Sequence, residues 1–185
     1  MKVIGFTGMP WSGKSEAVTI AKEKHIPVFR MGDFVWDEVK KRDLELNADN
    51  VGRIAQDMRE KHGSFIWAKK TVDAIRKNSD HNLVVIDGLR STNELSYFRD
   101  HLSDSFSLVA ITAPDDLRYK RAKKRKRADD SIKDQDLIDR DNREKQWGID
   151  QVIASADISI CNDSSLEQLR GKISYLFLMN SNGNR

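Results

Sequence analysis

The stretch GMPWSGKS, residues 8–15, decides the fold. Gly8, Gly13, Lys14 and Ser15 satisfy the pattern G-x-x-x-x-G-K-[S/T], between an apolar run and a stretch of helical periodicity. In such a loop, successive backbone N–H groups and the positive end of the following helix form a cradle for phosphate groups. The stretch therefore predicts a phosphate-binding loop between the first strand and the first helix of an α/β fold.

The loop also indicates which nucleotide groups its side chains contact. We expect Lys14 to reach the β- and γ-phosphates of a triphosphate, and the Ser15 hydroxyl to ligate Mg²⁺. The predicted cofactors are ATP and Mg²⁺, bound by the consecutive residues Gly8, Met9, Pro10, Trp11, Ser12, Gly13, Lys14 and Ser15. Because the sequence shows no guanine signature of the N/T-K-x-D type, ATP and GTP both remain open.

Trp11 places the bulkiest side chain at the centre of this loop. The backbone at this position faces the phosphates while the side chain points away, so a large residue fits where its backbone angles are allowed. We expect the ring to lie over the mouth of the cleft or beneath a lid. The alternative is a surface ring packed on its neighbours.

Length and composition bound the class of protein. The 185 residues suit a single domain, 1–185, of ordinary composition, with 38% hydrophobic and 33% charged residues. No apolar run approaches the roughly 20 residues of a membrane span, and the first residues resemble no signal peptide. A cytoplasmic protein without a membrane partner is expected. Cys161 is the only cysteine, which excludes an intrachain disulfide and favours a buried, reduced thiol.

Strand-like and helix-like stretches alternate along the chain. Short apolar runs predict strands buried on both faces at 3–6, 26–29, 83–86, 108–111 and 158–161. Stretches that mix apolar and charged residues predict helices at 15–24, 36–42, 51–60, 65–77, 93–101, 115–125, 135–145 and 165–177. This alternation predicts a parallel sheet covered by helices on both faces.

Two acidic residues follow predicted strands. Asp87 ends the run LVVID, where a carboxylate can hold Mg²⁺ through water. Asp33, in MGDF, follows the second strand and reaches the same carboxyl edge of the sheet, where ligands bind in open α/β folds. Each acidic residue alone would be interpreted as a helix cap or turn residue. Together with the phosphate loop they favour a functional site.

With these motifs, the chain resembles the P-loop kinases of small metabolites, the adenylate-kinase and dephospho-coenzyme A kinase group. It most closely resembles an adenylate-kinase-related family known largely from archaea. MGDFVWDEV is similar to the acceptor segment of that group, and VIDGLRS to the strand and turn that lead to an acceptor-binding arginine, here Arg90. ADISICNDSSLEQL is similar to the last strand and the loop beside the adenine. The resemblance therefore places Asn162 beside the base, which the loop 162–165 would contact mainly through its backbone. The resemblance implies a five-stranded parallel sheet in the order 2-3-1-4-5, an acceptor-binding helical segment at about 32–78 and a lid at about 121–147.

The resemblance also gives a role to the run RYKRAKKRKR, residues 118–127, with eight basic residues in ten. RKRADD and IDRDNRE are similar to the arginine-bearing parts of the lid, so the expected lid cations are Arg121, Arg125, Arg127, Arg140 and Arg143. Arg127 and Arg140 are the predicted catalytic members, and Arg121 and Arg125 the predicted nucleotide ligands. The neighbouring lysines are expected to be solvated. A nucleic-acid surface and a solvated helical face are the alternatives.

The acceptor site departs from the family pattern at one position. Where adenylate kinases carry a phosphate-clamping arginine, this chain has Trp36. Arg59 and Arg90 remain available for an anionic acceptor, whereas Asp33 could deprotonate a hydroxyl acceptor.

The predicted function is an ATP- and Mg²⁺-dependent phosphotransferase acting on a nucleotide-type small molecule, with Lys14 and Asp33 also catalytic. The alternatives are dephospho-coenzyme A kinase-like transfer to a hydroxyl, and a regulatory or RNA-associated module with slow hydrolysis. The sequence leaves the oligomeric state open.

Overall fold

The structure, a computed structural model, describes residues 1–78, 80–125 and 134–181. For Ala48 and Arg125 it describes the backbone alone. The predicted catalytic Arg127 and most of the RKRADD segment lie outside the described residues.

Five parallel strands form the central sheet. They are β1 Lys2–Thr7, β2 Val28–Arg30, β3 Leu83–Asp87, β4 Phe106–Thr112 and β5 Ile158–Cys161. The order is β2-β3-β1-β4-β5, and every pairing is parallel. The predicted fold class and strand order are therefore confirmed. In this order the carboxyl ends of β1 and β3 are neighbours, with Phe6 opposite Asp87.

Helices cover both faces of the sheet. Among the described residues they are α1 Lys14–Glu23, α2 Met31–Lys41, α3 Ala48–His62, α4 Ile66–Lys77, α5 Thr92–Leu102, α6 Asp115–Arg125, α7 Asp134–Gln146, α8 Ile149–Ala154 and α9 Leu166–Ser181. Helix α2 begins directly after β2, five residues before the predicted start at 36, so Asp33 lies in its first turn. A carboxylate there is favoured by the helix dipole. Helix α8 was not predicted, because six residues are too few to show a period.

The core consists of two apolar layers, one on each face of the sheet. On one face Val3, Val84 and Ile86 pack with residues of α2 to α5, including the buried Trp67. On the other face, side chains of β1, β3 and β4 pack against α1 and α9. Alternate residues of β1 and β3 enter opposite layers, which confirms that these central strands are buried on both faces.

The edge strands differ from the prediction. In β5 only Ile160 is buried, and Ile158 is 39% exposed. The expectation of a buried Cys161 was wrong: its side chain is exposed, because it lies at the end of β5, an edge strand that pairs with β4 on one side. In the described part of the chain, no helix combines the length and the apolar character that crossing a bilayer requires.

Candidate active site

The phosphate loop joins β1 to α1 through two glycines with positive φ. Gly8 has φ +144° and Gly13 has φ +112°, a region that other residues adopt with strain. A Cβ atom on Gly8 would collide with the carbonyl oxygen of Ile111, and one on Gly13 with the side-chain amide of Asn162. The two glycines thus let the loop pack closely against β4 and against the loop after β5.

Lys14 begins α1 and folds its ammonium group back over the loop. Its Nζ donates hydrogen bonds to the backbone carbonyls of Gly8 and Met9, the second at 3.0 Å. Burial lowers the pKa of Lys14 from 10.5 to about 8; the carboxylate of Asp87 opposes this shift, and Arg90 adds to it. A cation destabilised by desolvation in this way gains from any anion that enters beside it.

A cavity of about 200 Å³, here called the phosphate-loop cavity, lies over Lys14. Its lining comes from the loop, from the end of β3 and the turn after it, and from α7 and α8. The lining residues are Gly8, Pro10, Trp11, Gly13, Lys14, Ser15, Asp87, Gly88, Leu89, Arg90, Arg140, Glu144 and Ile149. The cavity therefore gathers, from four parts of the chain, the predicted phosphate, metal and lid residues.

The predicted magnesium ligands share this cavity. Ser15 offers a hydroxyl and Asp87 a carboxylate, which are the hard oxygen donors that Mg²⁺ prefers. Among the described residues, no group of three or more His, Cys, Asp and Glu side chains has the arrangement of a metal site. The pair fits Mg²⁺ held partly by phosphate oxygens and water, as in other P-loop proteins.

Asp33 and Trp36 lie beside Arg30 at the edge of the site. The Arg30 guanidinium is 3.7 Å from the carboxylate of Asp33 and 3.7 Å from that of Asp87. It also lies over the Trp36 ring, 5.6 Å from the centroid. Neither Asp33 nor Trp36 lines the phosphate-loop cavity or any of the three further cavities described below. The structure thus connects Asp33 to Asp87 through Arg30 rather than placing it in the phosphate-loop cavity.

Trp11 lies between the loop and the two helices α6 and α7. Its φ is +60°, and its ring packs edge-on against Tyr119 of α6 at a centroid distance of 6.4 Å. The guanidinium of Arg140, from α7, lies 5.0 Å from the centroid of the same ring. The side chain therefore points away from the loop backbone, toward helices of the predicted lid.

A second cavity, of about 330 Å³, adjoins the loop on the side of β5 and is here called the Asn162 cavity. Its lining residues are Trp11, Gly13, Ser15, Glu16, Arg121, Asn162, Ser164, Leu166 and Leu169. Arg121 donates to the backbone and side-chain oxygens of Asn162, at 2.9 and 3.3 Å, and the Asn162 amide donates to the carbonyl of Ser12 at 2.7 Å. The Nη1 atom of Arg121 is buried without a hydrogen-bond partner among the described residues. A ligand with an acceptor atom would satisfy it.

A third cavity, of about 160 Å³, contains the predicted acceptor cations and is here called the Arg59 cavity. Its lining residues are Gln56, Arg59, Ser64, Arg90, Ser91, Asn93, Glu94 and Trp147. Arg59 lies 3.6 Å from the buried carboxylate of Glu94, which with Ser91 also forms the capping box of α5. Because Arg90 lines both this cavity and the phosphate-loop cavity, the two adjoin at its guanidinium.

Some residues of the cleft were missed in the sequence. Glu144 pairs with Arg90 at 2.9 Å and lines the phosphate-loop cavity, and its Oε2 is buried with no described hydrogen-bond partner. Trp147 stacks beneath the same arginine at 5.6 Å. The acidic residues among the arginines of IDRDNRE are the signal that could have indicated the pairing of Glu144.

The described lysines of the basic run and the described lid arginines lie in different surroundings. Lys120 and Lys123 are exposed and pair with acidic residues at the surface. Arg121 lines the Asn162 cavity, and Arg140 and Arg143 line a further cavity of about 340 Å³ that also contains Trp11. The side chain of Arg125 lies outside the description, as does Arg127, so their predicted contacts stay predictions.

Comparison with known protein families and relatives gives a consistent result. Residues 4–148 match the profile of an AAA domain. The UPF0200 protein of Methanosarcina barkeri is 42% identical over 167 residues, which cover 90% of this chain and 89% of the relative. The UPF0200/UPF0201 protein of Archaeoglobus fulgidus is 41% identical over 179 residues, 96% of this chain. The chain spans 55% of the length of that second relative.

Solved structures show the same fold at low sequence identity. The dephospho-CoA kinase from Campylobacter jejuni has a TM-score of 0.64 and 17% identity, with all of both chains covered. A shikimate kinase from Acinetobacter baumannii has a TM-score of 0.58 and 15% identity, over 99% of this chain and 96% of that one. These likenesses show a P-loop kinase-like fold, and the relation to adenylate kinases stays a prediction.

Proposed function

The chain belongs to the UPF0200 family and carries an AAA domain, and on that premise we propose that it is an ATP- and Mg²⁺-dependent phosphotransferase acting on a nucleotide-type small molecule. The observation that carries the proposal is the lining of the phosphate-loop cavity. Lys14, Arg90 and Arg140 meet there with the oxygen ligands of Ser15 and Asp87. Three cations from separate elements around a glycine-rich loop suit a polyphosphate undergoing transfer.

The nucleotide would extend from the phosphate-loop cavity into the Asn162 cavity. Trp11, Gly13 and Ser15 line both cavities, so the triphosphate and the rest of the nucleotide would meet at these residues. The unpartnered Nη1 of Arg121 would donate to the base, ribose or α-phosphate. The apolar Leu166 and Leu169 offer a surface for a planar ring.

Catalysis would consist of positioning and charge neutralisation, since little covalent chemistry falls to the protein in phosphoryl transfer. Lys14 and Arg140 would hold the oxygens of the transferring group, whose negative charge they offset. Ser15 and Asp87 would hold the Mg²⁺, which would supply further positive charge to offset that of the phosphate oxygens. Arg127 is proposed as a further catalytic cation on the resemblance alone.

The acceptor would bind in the Arg59 cavity, next to the transferring phosphoryl group. Arg59 and Arg90 suit an anionic acceptor, because each presents a planar fork of donors to phosphate. Binding of an anion at Arg90 would compete with its pairing to Glu144. The Asp33 carboxylate, whose side chain is 49% exposed and lies next to Arg30, would orient the acceptor.

The positions of the described lid arginines favour this function over an RNA-associated one. An RNA-binding stripe would place them on an outer surface away from the loop. Instead Arg121, Arg140 and Arg143 each line a cavity that contains Trp11 of the loop. Their charge is thus directed at the nucleotide cleft.

The test is transfer of labelled phosphate from [γ-³²P]ATP with Mg²⁺ to a panel of acceptors. The panel contains nucleoside monophosphates, dephospho-coenzyme A and shikimate, and each product is separated from free phosphate. We expect a labelled nucleotide-type product that is lost in Lys14→Ala and retained in Lys24→Ala, at the exposed far end of α1. Label that appears only as free phosphate with every acceptor would overturn the proposal.

A further inference from the structure

Arg118 differs from the rest of the basic run. The residue is 1% exposed, although the run RYKRAKKRKR reads as a solvated surface. A buried guanidinium is rare unless each of its donors has a partner. Its position in α6 therefore calls for a function other than a general positive charge.

The guanidinium of Arg118 joins three segments of the chain. Its Nη1 donates to the backbone carbonyl of Pro10 at 3.0 Å and to Oδ1 of Asp141 at 3.0 Å. Its Nη2 donates to Oδ2 of Asp141 at 2.5 Å and to Asp115 at 2.7 Å, and its Nε reaches Asp115 at 3.3 Å. One side chain thus connects the phosphate loop to α7 and to the start of α6.

Side chains of α6 and α7 also contact Trp11, the residue that follows Pro10 in the loop. The Tyr119 hydroxyl donates to Oδ2 of Asp141 at 3.0 Å, and the Tyr119 ring packs against Trp11. Arg140, next to Asp141 on α7, places its guanidinium 5.0 Å from the centroid of the Trp11 ring. Pro10 and Trp11 are therefore each held by α6 and connected through Asp141 or Arg140 to α7.

Trp11 needs such restraint because of its backbone. With φ +60° it occupies the left-handed region, which costs a residue with a Cβ about 1–2 kcal/mol. Surrounding contacts must hold such a conformation in place. The Pro10 carbonyl, which accepts a hydrogen bond from Arg118, belongs to the peptide group that joins Pro10 to Trp11.

We propose that Arg118 is a positioning residue that fixes the phosphate loop at Pro10 and Trp11, and so couples the position of α7 to nucleotide affinity. The inference rests on the proposed function in so far as the loop binds nucleotide. Arginine suits the task because its planar fork serves Pro10, Asp115 and Asp141 together, whereas the point charge of lysine cannot.

A contribution to stability alone does not account for this arrangement. Buried ion pairs are weak sources of stability, because the cost of removing both charges from water offsets their attraction. Burial opposes the charged form of Arg118, but its hydrogen bonds to Asp141 and Asp115 leave the pKa raised above its ordinary value. The guanidinium that donates to Pro10 is therefore charged.

The experiment measures binding of the fluorescent diphosphate mant-ADP with Mg²⁺, together with the melting temperature, in Arg118→Lys and Asp141→Asn. Arg99→Lys serves as the control, because Arg99 also joins a carbonyl, that of Ser155, to an aspartate, Asp157, but lies outside the site. We expect mant-ADP to bind at least about tenfold more weakly in both test variants at a temperature where all are folded. The control should bind like the parent.

Loss of melting temperature with unchanged mant-ADP affinity would make Arg118 merely structural and overturn the inference. If Arg118→Lys does not fold, Asp141→Asn, which keeps the size of the side chain, decides on the same criterion. The experiments distinguish failure of the Arg118 inference from failure of the phosphotransferase proposal. A parent protein that binds mant-ADP but labels no acceptor contradicts the phosphotransferase proposal alone.

Discussion

The pKa of Lys14 predicts that nucleotide affinity falls in mildly alkaline solution. In the free protein burial lowers this pKa to about 8, so the ammonium loses its proton within an accessible range. Phosphate oxygens beside the ammonium favour its charged form and raise the pKa in the complex. Binding therefore takes up a proton above pH 8, and affinity is lost as pH rises through the free-protein value.

The size of the effect follows from these two pKa values. If the complex restores the ordinary value of 10.5, linkage predicts that the dissociation constant for MgATP rises about 20-fold from pH 7.5 to 9.5. That ratio corresponds to about 1.8 kcal/mol of binding free energy. The phosphate groups of ATP are fully ionised throughout this range, so they contribute little to the change.

Isothermal titration of MgATP in two buffers of different ionisation enthalpy measures both affinity and proton uptake. Lys14→Arg should bind with nearly constant affinity from pH 7.5 to 9.5, because a guanidinium keeps its charge there. Lys24→Arg, at the exposed C-terminal end of the same helix, should keep the 20-fold change of the parent. A parent protein whose affinity is constant over this range, with no proton uptake, would refute the reasoning.

Three further predictions concern the cleft. Trp11→Phe should abolish most of the fluorescence change on nucleotide binding, because this ring lines the two nucleotide cavities; a full signal in the variant would assign it to another tryptophan. Arg140→Ala should slow phosphoryl transfer by more than it weakens ATP binding, as single-turnover rates and equilibrium titration would show; equal losses would make it a binding residue only. Asp33→Asn should change the transfer rate little if the acceptor is an anionic phosphate; a loss of about 10² to 10⁴-fold would instead indicate a hydroxyl acceptor that needs a base.

The fold could be predicted from the sequence because its signals are local. The alternation of apolar runs with helical periods, and the glycine-rich loop between β1 and α1, both lie within short windows. The wrong predictions concern residues whose burial depends on contacts between segments distant in sequence. Cys161 has the same strand-like context as the residues of central strands, and only its place in the edge strand β5 exposes it.

The sequence indicates residues of the candidate site where one residue type serves one chemistry, as at Lys14, Ser15 and Asp87. It carries no such signal for a pair of residues distant in sequence. Arg118 and Asp141 are 23 residues apart, and nothing in RYKRAKKRKR marks one arginine as buried. The pair exists because α6 and α7 pack together, which is a tertiary contact that no local window contains.

The charge of the cleft does not follow from counting its basic and acidic residues, because burial changes the protonation of Lys14. Lys14, Arg90 and Arg140 are brought together by folding, and the two guanidinium groups disfavour the charge of Lys14 in the absence of an anion. The carboxylates of Asp87 and Glu144 oppose that effect, and burial is the largest cause of the lowered pKa of Lys14, about 8. A polyphosphate entering the cavity would offset the cost of burying this ammonium group. The lowered pKa is thus the physical link between the arrangement of this cleft and its affinity for nucleotide, and proton uptake on binding reports it directly.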